Sequence, residues 1–148
     1  MKINHKGFTL LEIILVLFLI TLILGLTAVF FTGFLPSVKF DATGREISAT
    51  IRHARSVSRM SMESQTVVID LDNKLYGIEG RAVKYLPPDL LIKIIDPFSG
   101  EITHGKYSII FKPTGGIDGG TIILSQRKKL LQIEIDPIIG AALIKGGN

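Results

Sequence analysis

The feature that most constrains this chain lies at its N-terminus. A short basic leader, Lys2-Ile3-Asn4-His5-Lys6-Gly7, precedes an apolar run in which Glu12 is the sole charge before Lys39. As a helix, Phe8 to Phe31 would rise roughly 36 Å, enough to cross the roughly 30 Å hydrocarbon core of a bilayer with some tilt. That is too long for the apolar region of a cleaved secretory signal, and Leu26-Thr27-Ala28 is a poor small-x-small site. An ordinary signal anchor accounts for the length but not for Glu12. A carboxylate in a membrane helix costs up to about 2.5–3.5 kcal/mol at mid-bilayer, and less near its edge. Glu12 stands near the start of the span, where the helix dipole favours negative charge. An interfacial carboxylate of no consequence and one kept for a partner both stay open on this argument.

With the first 36 or so of 148 residues committed to the span, what remains suits one soluble domain. The apolar fraction of 47% and mean hydropathy of +0.42 are inflated by the N-terminal run. The formal net charge of +4 falls by two if the leader with Lys2 and Lys6 is removed, and so small a charge does not argue for a nucleic-acid partner. The absence of cysteine excludes disulfides and thiolate metal sites. Positive charge does not orient the span, because Lys2 and Lys6 before it are matched by Lys39, Arg45 and Arg52 after it.

Pro36 marks a kink or change of direction. From Ser37 to about Met62, Phe40, Ile47, Ile51, Ala54 and Val57 recur at roughly helical spacing, which predicts an amphipathic continuation of the same helix, reaching as far as residue 63. Arg45, Arg52 and Arg59, with Ser48 and Arg55 beside them, form a basic stripe away from the Ile47/Ile51 face. A solvated face explains that stripe, and so do carboxylates on adjacent subunits, which arginine can grip bidentately. After Glu63-Ser64 the period changes to two. Val67, Ile69 and Leu71 share one face of a strand, Asp72-Asn73 turns, and Lys74–Ile78 completes a hairpin. Further strands are predicted at Leu90–Ile95, Tyr107–Lys112, Thr121–Ser125, through Leu131, Ile133 and Ile135, and at Ile139–Lys145. Leu86-Pro87-Pro88-Asp89 and Asp96-Pro97-Phe98-Ser99-Gly100 break the chain between them, and Pro113–Gly120 reads as a mobile glycine-rich loop. The fold class is therefore α+β, a long N-terminal helix packed on an antiparallel sheet head spanning residues 65–145.

No residue set suggests catalysis. His5, His53 and His104 are scattered, which supports neither a metal pair nor a triad. The Gly115–Gly120 loop lacks the Gly-Lys-Ser/Thr ending of a phosphate-binding loop. Asp70-Leu71-Asp72-Asn73 fits a hairpin turn better than a calcium loop. No cofactor or metal is expected, and the chain does not read as an enzyme.

Gly7-Phe8-Thr9-Leu10-Leu11-Glu12 and the apolar run resemble the class III signal of type IV pilins and type II secretion pseudopilins. The resemblance implies that a prepilin peptidase cuts after Gly7 and methylates the new amine on Phe8. It also implies a leader of residues 1–7, an assembly helix over 8–36, a head over 37–148, and a Glu12 carboxylate that meets the Phe8 amine of a neighbouring subunit. Pairing with a cation makes a buried carboxylate tolerable. Further along, Ile51-Arg52-His53-Ala54-Arg55, Val67–Leu71, Leu86-Pro87, Ile110-Phe111-Lys112-Pro113 with its Gly-Gly loop, and Ile133-Glu134-Ile135-Asp136 with Gly140 are similar to the H-type minor pseudopilins and related fimbrial minor pilins. Gly140-Ala141-Ala142 replaces the Gly-Arg frequent there, and Val29 stands near the proline that pilins often carry.

The implied function is that of a minor pseudopilin, a structural subunit at or near the tip of a type II secretion pseudopilus. Its implied partners are the prepilin peptidase, other pseudopilins or pilins, the inner-membrane assembly platform, and the secretin or an exoprotein. The implied placement is a single pass of the inner membrane with a cytoplasmic N-terminus and a periplasmic head. The alternative is a type IV minor pilin acting in pilus biogenesis or DNA uptake, for which Arg127, Lys128, Lys129 and Lys145 are the candidate basic patch. A basic turn followed by a tail is the plainer reading of those residues.

Overall fold

The computed structural model describes residues 7–115, 117, 120–136 and 142–147. The leader before Gly7, much of the glycine-rich loop, and Ile139, Gly140 and Ala141 thus lie outside the described residues. One helix, α1, runs Leu10–Ser61. Among the described residues nine strands follow: β1 Gln65–Asp70, β2 Leu75–Ile78, β3 Lys84–Tyr85, β4 Leu91–Asp96, β5 Gly100–Ile102, β6 Lys106–Phe111, β7 Thr121–Gln126, β8 Lys129–Ile135 and β9 Ala142–Gly147. The chain divides into two compact units, Met1–Val38 and Lys39–Asn148. No element boundary falls at Pro36, because a single proline removes one ladder hydrogen bond while those on either side hold the flanking turns. The helix ends instead at Ser61, where Met62 takes the left-handed conformation (φ 56°) that commonly terminates helices.

The second unit is α+β. All its strand pairs are antiparallel, but they form two sheets, β3-β2-β1-β6 and β5-β4-β7-β8-β9. Residues 39–61 of α1 are tied to both. On the five-stranded sheet Lys129 pairs with Asp41 at 3.0 Å and the Ser48 hydroxyl donates to the Ala142 carbonyl at 3.4 Å. On the other sheet the Ser58 hydroxyl donates to the Phe111 carbonyl at 2.8 Å. Phe40, Ile47, Ile51 and Ala54 are buried in the common core with Val67, Ile69, Ile94, Ile109, Phe111, Ile122, Leu124 and Ile133. The helix comes close to β8 at Gly44. A Cβ at Gly44 would lie 2.8 Å from Leu131 Cδ1.

This placement corrects the sequence reading of Ser48. It belongs to the buried face, not to the basic stripe, and its hydroxyl accepts a 2.9 Å bond from Arg52 Nη1. Helical spacing alone could not assign a small polar residue at the border between faces. The first hairpin turn is also longer than Asp72-Asn73. Asp70 pairs with Leu75, so Leu71 leaves the strand face and joins the turn. The Asp70 carboxylate explains the shift, since it accepts from both the backbone N–H (2.8 Å) and the side-chain amide (3.0 Å) of Asn73. Two short strands, β3 and β5, were not legible in the pattern, being too short to show alternation. Asp96 nucleates the β4–β5 turn, its carboxylate accepting from the Phe98 and Ser99 N–H groups at 2.9 and 2.7 Å and from the Tyr107 hydroxyl at 2.8 Å. Within the glycine-rich loop, Ile117 bridges to Phe111. Gly120 is required where the chain leaves it, because a Cβ there would lie 2.5 Å from the Ile95 carbonyl oxygen.

Two measurable consequences arise here. Residues 39–148, produced without the apolar segment, should be soluble and monomeric and should unfold cooperatively, because they contain the whole helix–sheet core. Circular dichroism and calorimetry on that fragment would show a broad, uncooperative transition if part of the core were missing. Its stability should also depend on acid. The Asn73 amide and N–H, helped by Lys106, hold the Asp70 carboxyl below the usual carboxylate range, and the Ser99 N–H, Tyr107 hydroxyl and Phe98 N–H do the same for Asp96. Depressed folded-state values stabilise the fold above the unfolded aspartate range and lose that contribution as pH falls through them. Denaturant midpoints should therefore stay level from pH 7 to about 5 and fall below about pH 4. Asp70→Asn should lower the neutral plateau and flatten the acid limb, and an unchanged limb would assign the acid sensitivity elsewhere.

Candidate functional site

The N-terminal segment is described by itself, as part of the first unit. Gly7, Phe8 and Thr9 are outside the helix, and a Cβ built on Gly7 would meet nothing within 4 Å. Thr9 is the N-cap. Its hydroxyl oxygen accepts from the Glu12 N–H at 3.2 Å, and its carbonyl accepts from Glu12 and Ile13 at 3.1 and 3.3 Å. Thr-x-x-Glu is the spacing of a capping box, a signal that reading the run as a membrane span overlooked. Phe8 precedes the cap and Ile13 stands at the fourth helical position, the two places that form a hydrophobic staple. Both line one shallow cavity of ≈ 220 Å³ with Glu12, Val16 and Leu17. Glu12 is thus in the first helical turn, where the unpaired N–H groups favour a carboxylate.

From Leu10 to Thr27, 18 residues with a mean hydropathy of 2.8 form a helix with no buried residue. A helix of that length rises about 27 Å. Water is a poor solvent for such a surface, and a bilayer or the like surfaces of other subunits would cover it. Phe8 is 81% exposed, so the residue at the start of the segment is accessible.

The sequence-derived basic residues do not gather into one site. Arg45, Arg52 and Arg59 are exposed along α1, and Arg59 lies in its last turn, where positive charge complements the dipole. Arg127 and Lys128 are exposed in the β7–β8 turn, with Arg127 at φ 55°. Lys129 is occupied by Asp41 and lies 6.0 Å from the Phe40 ring centroid, and Lys145 is occupied by Glu134 on the neighbouring strand. Two of the four lysines and arginines proposed for a patch therefore serve the head's own structure. Among the described residues no group of three or more His, Asp and Glu side chains is placed to hold a metal ion.

One further cluster was not visible in the sequence. Where α1 meets β2 and β3, Glu46 pairs with Lys84 at 2.6 Å beside the buried Tyr76. Lys84 pulls the Glu46 carboxyl down, while burial and the Glu46 charge push the Tyr76 phenol up. Glu46, His53, Arg81 and Lys84 line an open cleft of ≈ 350 Å³ there.

Comparison with known proteins bears on the first unit most directly. Residues 2–28 match the prokaryotic N-terminal methylation motif. The N-terminus carries a methylation-type motif. Beyond that segment, the chain is 25% identical over 135 residues to type II secretion system protein H of Xanthomonas campestris pv. campestris, covering 91% of this chain and 80% of that protein. No solved structure matches. An apolar N-terminal helix followed by an α+β head is a pilin-like arrangement.

Proposed function

We propose that this protein is a minor pseudopilin of a type II secretion system, a structural subunit held in the inner membrane by its N-terminal helix. One observation carries the reading: the prepilin-type motif at residues 2–28 begins a chain that resembles a type II secretion protein H over 91% of its length. On this reading a prepilin peptidase cuts between Gly7 and Phe8 and methylates the Phe8 amine, and the head lies in the periplasm. An exposed Gly7 in non-helical chain supports access, because a peptidase needs extended backbone it can surround. The Thr9 cap supports the order of events. It lies after the cut, so the helix keeps its first-turn geometry when the leader is lost.

Glu12 would then have two possible duties, stabilising its own helix start and meeting the amine of a neighbouring subunit. They differ in size. The first is worth about 0.3–1 kcal/mol, whereas a neighbour's amine left unpaired in a low-dielectric assembly, once the carboxylate is removed, costs several. Glu12→Leu should therefore insert and be cleaved as wild type does, yet lose at least about tenfold in crosslinking to other pseudopilins in membranes. Crosslinking equal to wild type would remove Glu12 from assembly and leave it as a helix-start residue. Failure of cleavage in this variant would instead show that Glu12 acts on processing.

A further inference from the structure

Among the described residues the two sheets have four edges, formed by β3, β6, β5 and β9. β3 and β5 are two and three residues long, too short to template another strand. β6 is six residues long and is bridged by Ile117 at Phe111 alone, but its inward side chains Tyr107, Ile109 and Phe111 are already buried. β9 is different. It is six residues long, pairs over its full length with β8, and stands at the edge of the five-stranded sheet. It has no proline, it ends in Gly146-Gly147, and its one charge, Lys145, is turned to Glu134 on β8. Proline and a bulge, two of the devices that blunt an edge, are missing from it, and its lysine is engaged within the sheet.

The side chains indicate that this sheet is cut short at β9. Ile102, Ile94, Ile122, Ile133 and Ile144 stand in direct register across β5, β4, β7, β8 and β9. The three central members are 0% exposed, but Ile144, last in the row and on the core face, is 39% exposed. A strand laid beside β9 would give Ile144 the cross-strand neighbour that the others have. Charge specifies the newcomer further. β9 reaches its Gly147 end opposite Leu130, beside the turn that presents Arg127 and Lys128, so that end of the edge is basic.

We propose that the outer edge of β9 is a strand-addition site for an extended segment of a partner protein, with a β-branched residue opposite Ile144 and acidic residues toward the Arg127–Lys128 end. A second copy fits less well. Antiparallel β9–β9 pairing would bring Lys145 and no acidic residue to an edge that is basic. This inference goes beyond the secretion reading and does not depend on processing or on Glu12.

The test attaches a probe strand after Asn148 of the full chain, in detergent micelles, through a flexible Gly/Ser linker that sets an effective concentration of roughly millimolar. The probe alternates valine and threonine and ends in two glutamates. Amide hydrogen exchange is read at residues 142–147. The outward amides of β9 should slow by roughly tenfold or more with the probe, slow less when lysines replace the glutamates, and stay fast when prolines replace the threonines or when the chain carries Ile144→Asp. Equal slowing with the proline probe, or none with the original, would overturn the proposal. So would outward amides already protected without a probe, which would mean that the chain covers its own edge. Protection that appears without a probe only as protein concentration rises would identify a second copy and overturn the partner assignment.

Discussion

Gly7→Val should abolish processing. Coexpressed with a prepilin peptidase, the variant is expected to remain full-length precursor, detectable as the uncut mass and by the absence of a methylated phenylalanine terminus. Gly7 lies in non-helical chain, with nothing within 4 Å of a built Cβ, so the fold of this chain does not require a glycine there. A requirement for glycine would therefore come from an enzyme that must close on the backbone, where a branched side chain intrudes. The head serves as the internal control. Its core lies within residues 39–148, so its unfolding should be the same in variant and parent. Normal trimming of Gly7→Val would remove the assigned cleavage site, whereas loss of trimming together with a changed head would point to general misfolding.

The largest expected effect on stability is at Ile133. This side chain is 0% exposed, on β8 between β7 and β9 and in register with Ile122 and Ile144. Truncation to alanine removes buried methyl and methylene groups from between two strands that are themselves held by full ladders, so the cavity cannot readily close. Ile133→Ala should cost about 2–5 kcal/mol, lowering the thermal midpoint of the 39–148 fragment by on the order of 10 °C or more. The comparison is Gln132→Ala, next to it in sequence but on the opposite face and half-buried, which should fall within about 0.5 kcal/mol of the parent. A large effect at Gln132 with a small one at Ile133 would mean that the faces of β8 have been reversed, since a one-residue shift exchanges every inward side chain for an outward one.

What the sequence determined by itself was whatever depends on local pattern. The apolar run announced the first unit without ambiguity, because no other arrangement suits so long a stretch with one charge. Phe40, Ile47, Ile51 and Ala54 were legible as one helix face, and Val67 and Ile69, Leu131, Ile133 and Ile135 as inward strand positions, since periods of 3.6 and 2 are set by backbone geometry. The prepilin-type motif was legible for the same reason, being contiguous. Tertiary structure alone decided the division of strands between two sheets, the burial of Ser48 and the engagement of Lys129 and Lys145 by Asp41 and Glu134. It also set the isoleucine row that ends exposed at Ile144. Each of these joins residues far apart in the chain. Local propensity is nearly indifferent to which strand lies beside which, so the outcome rests on the register in which the faces bury one another.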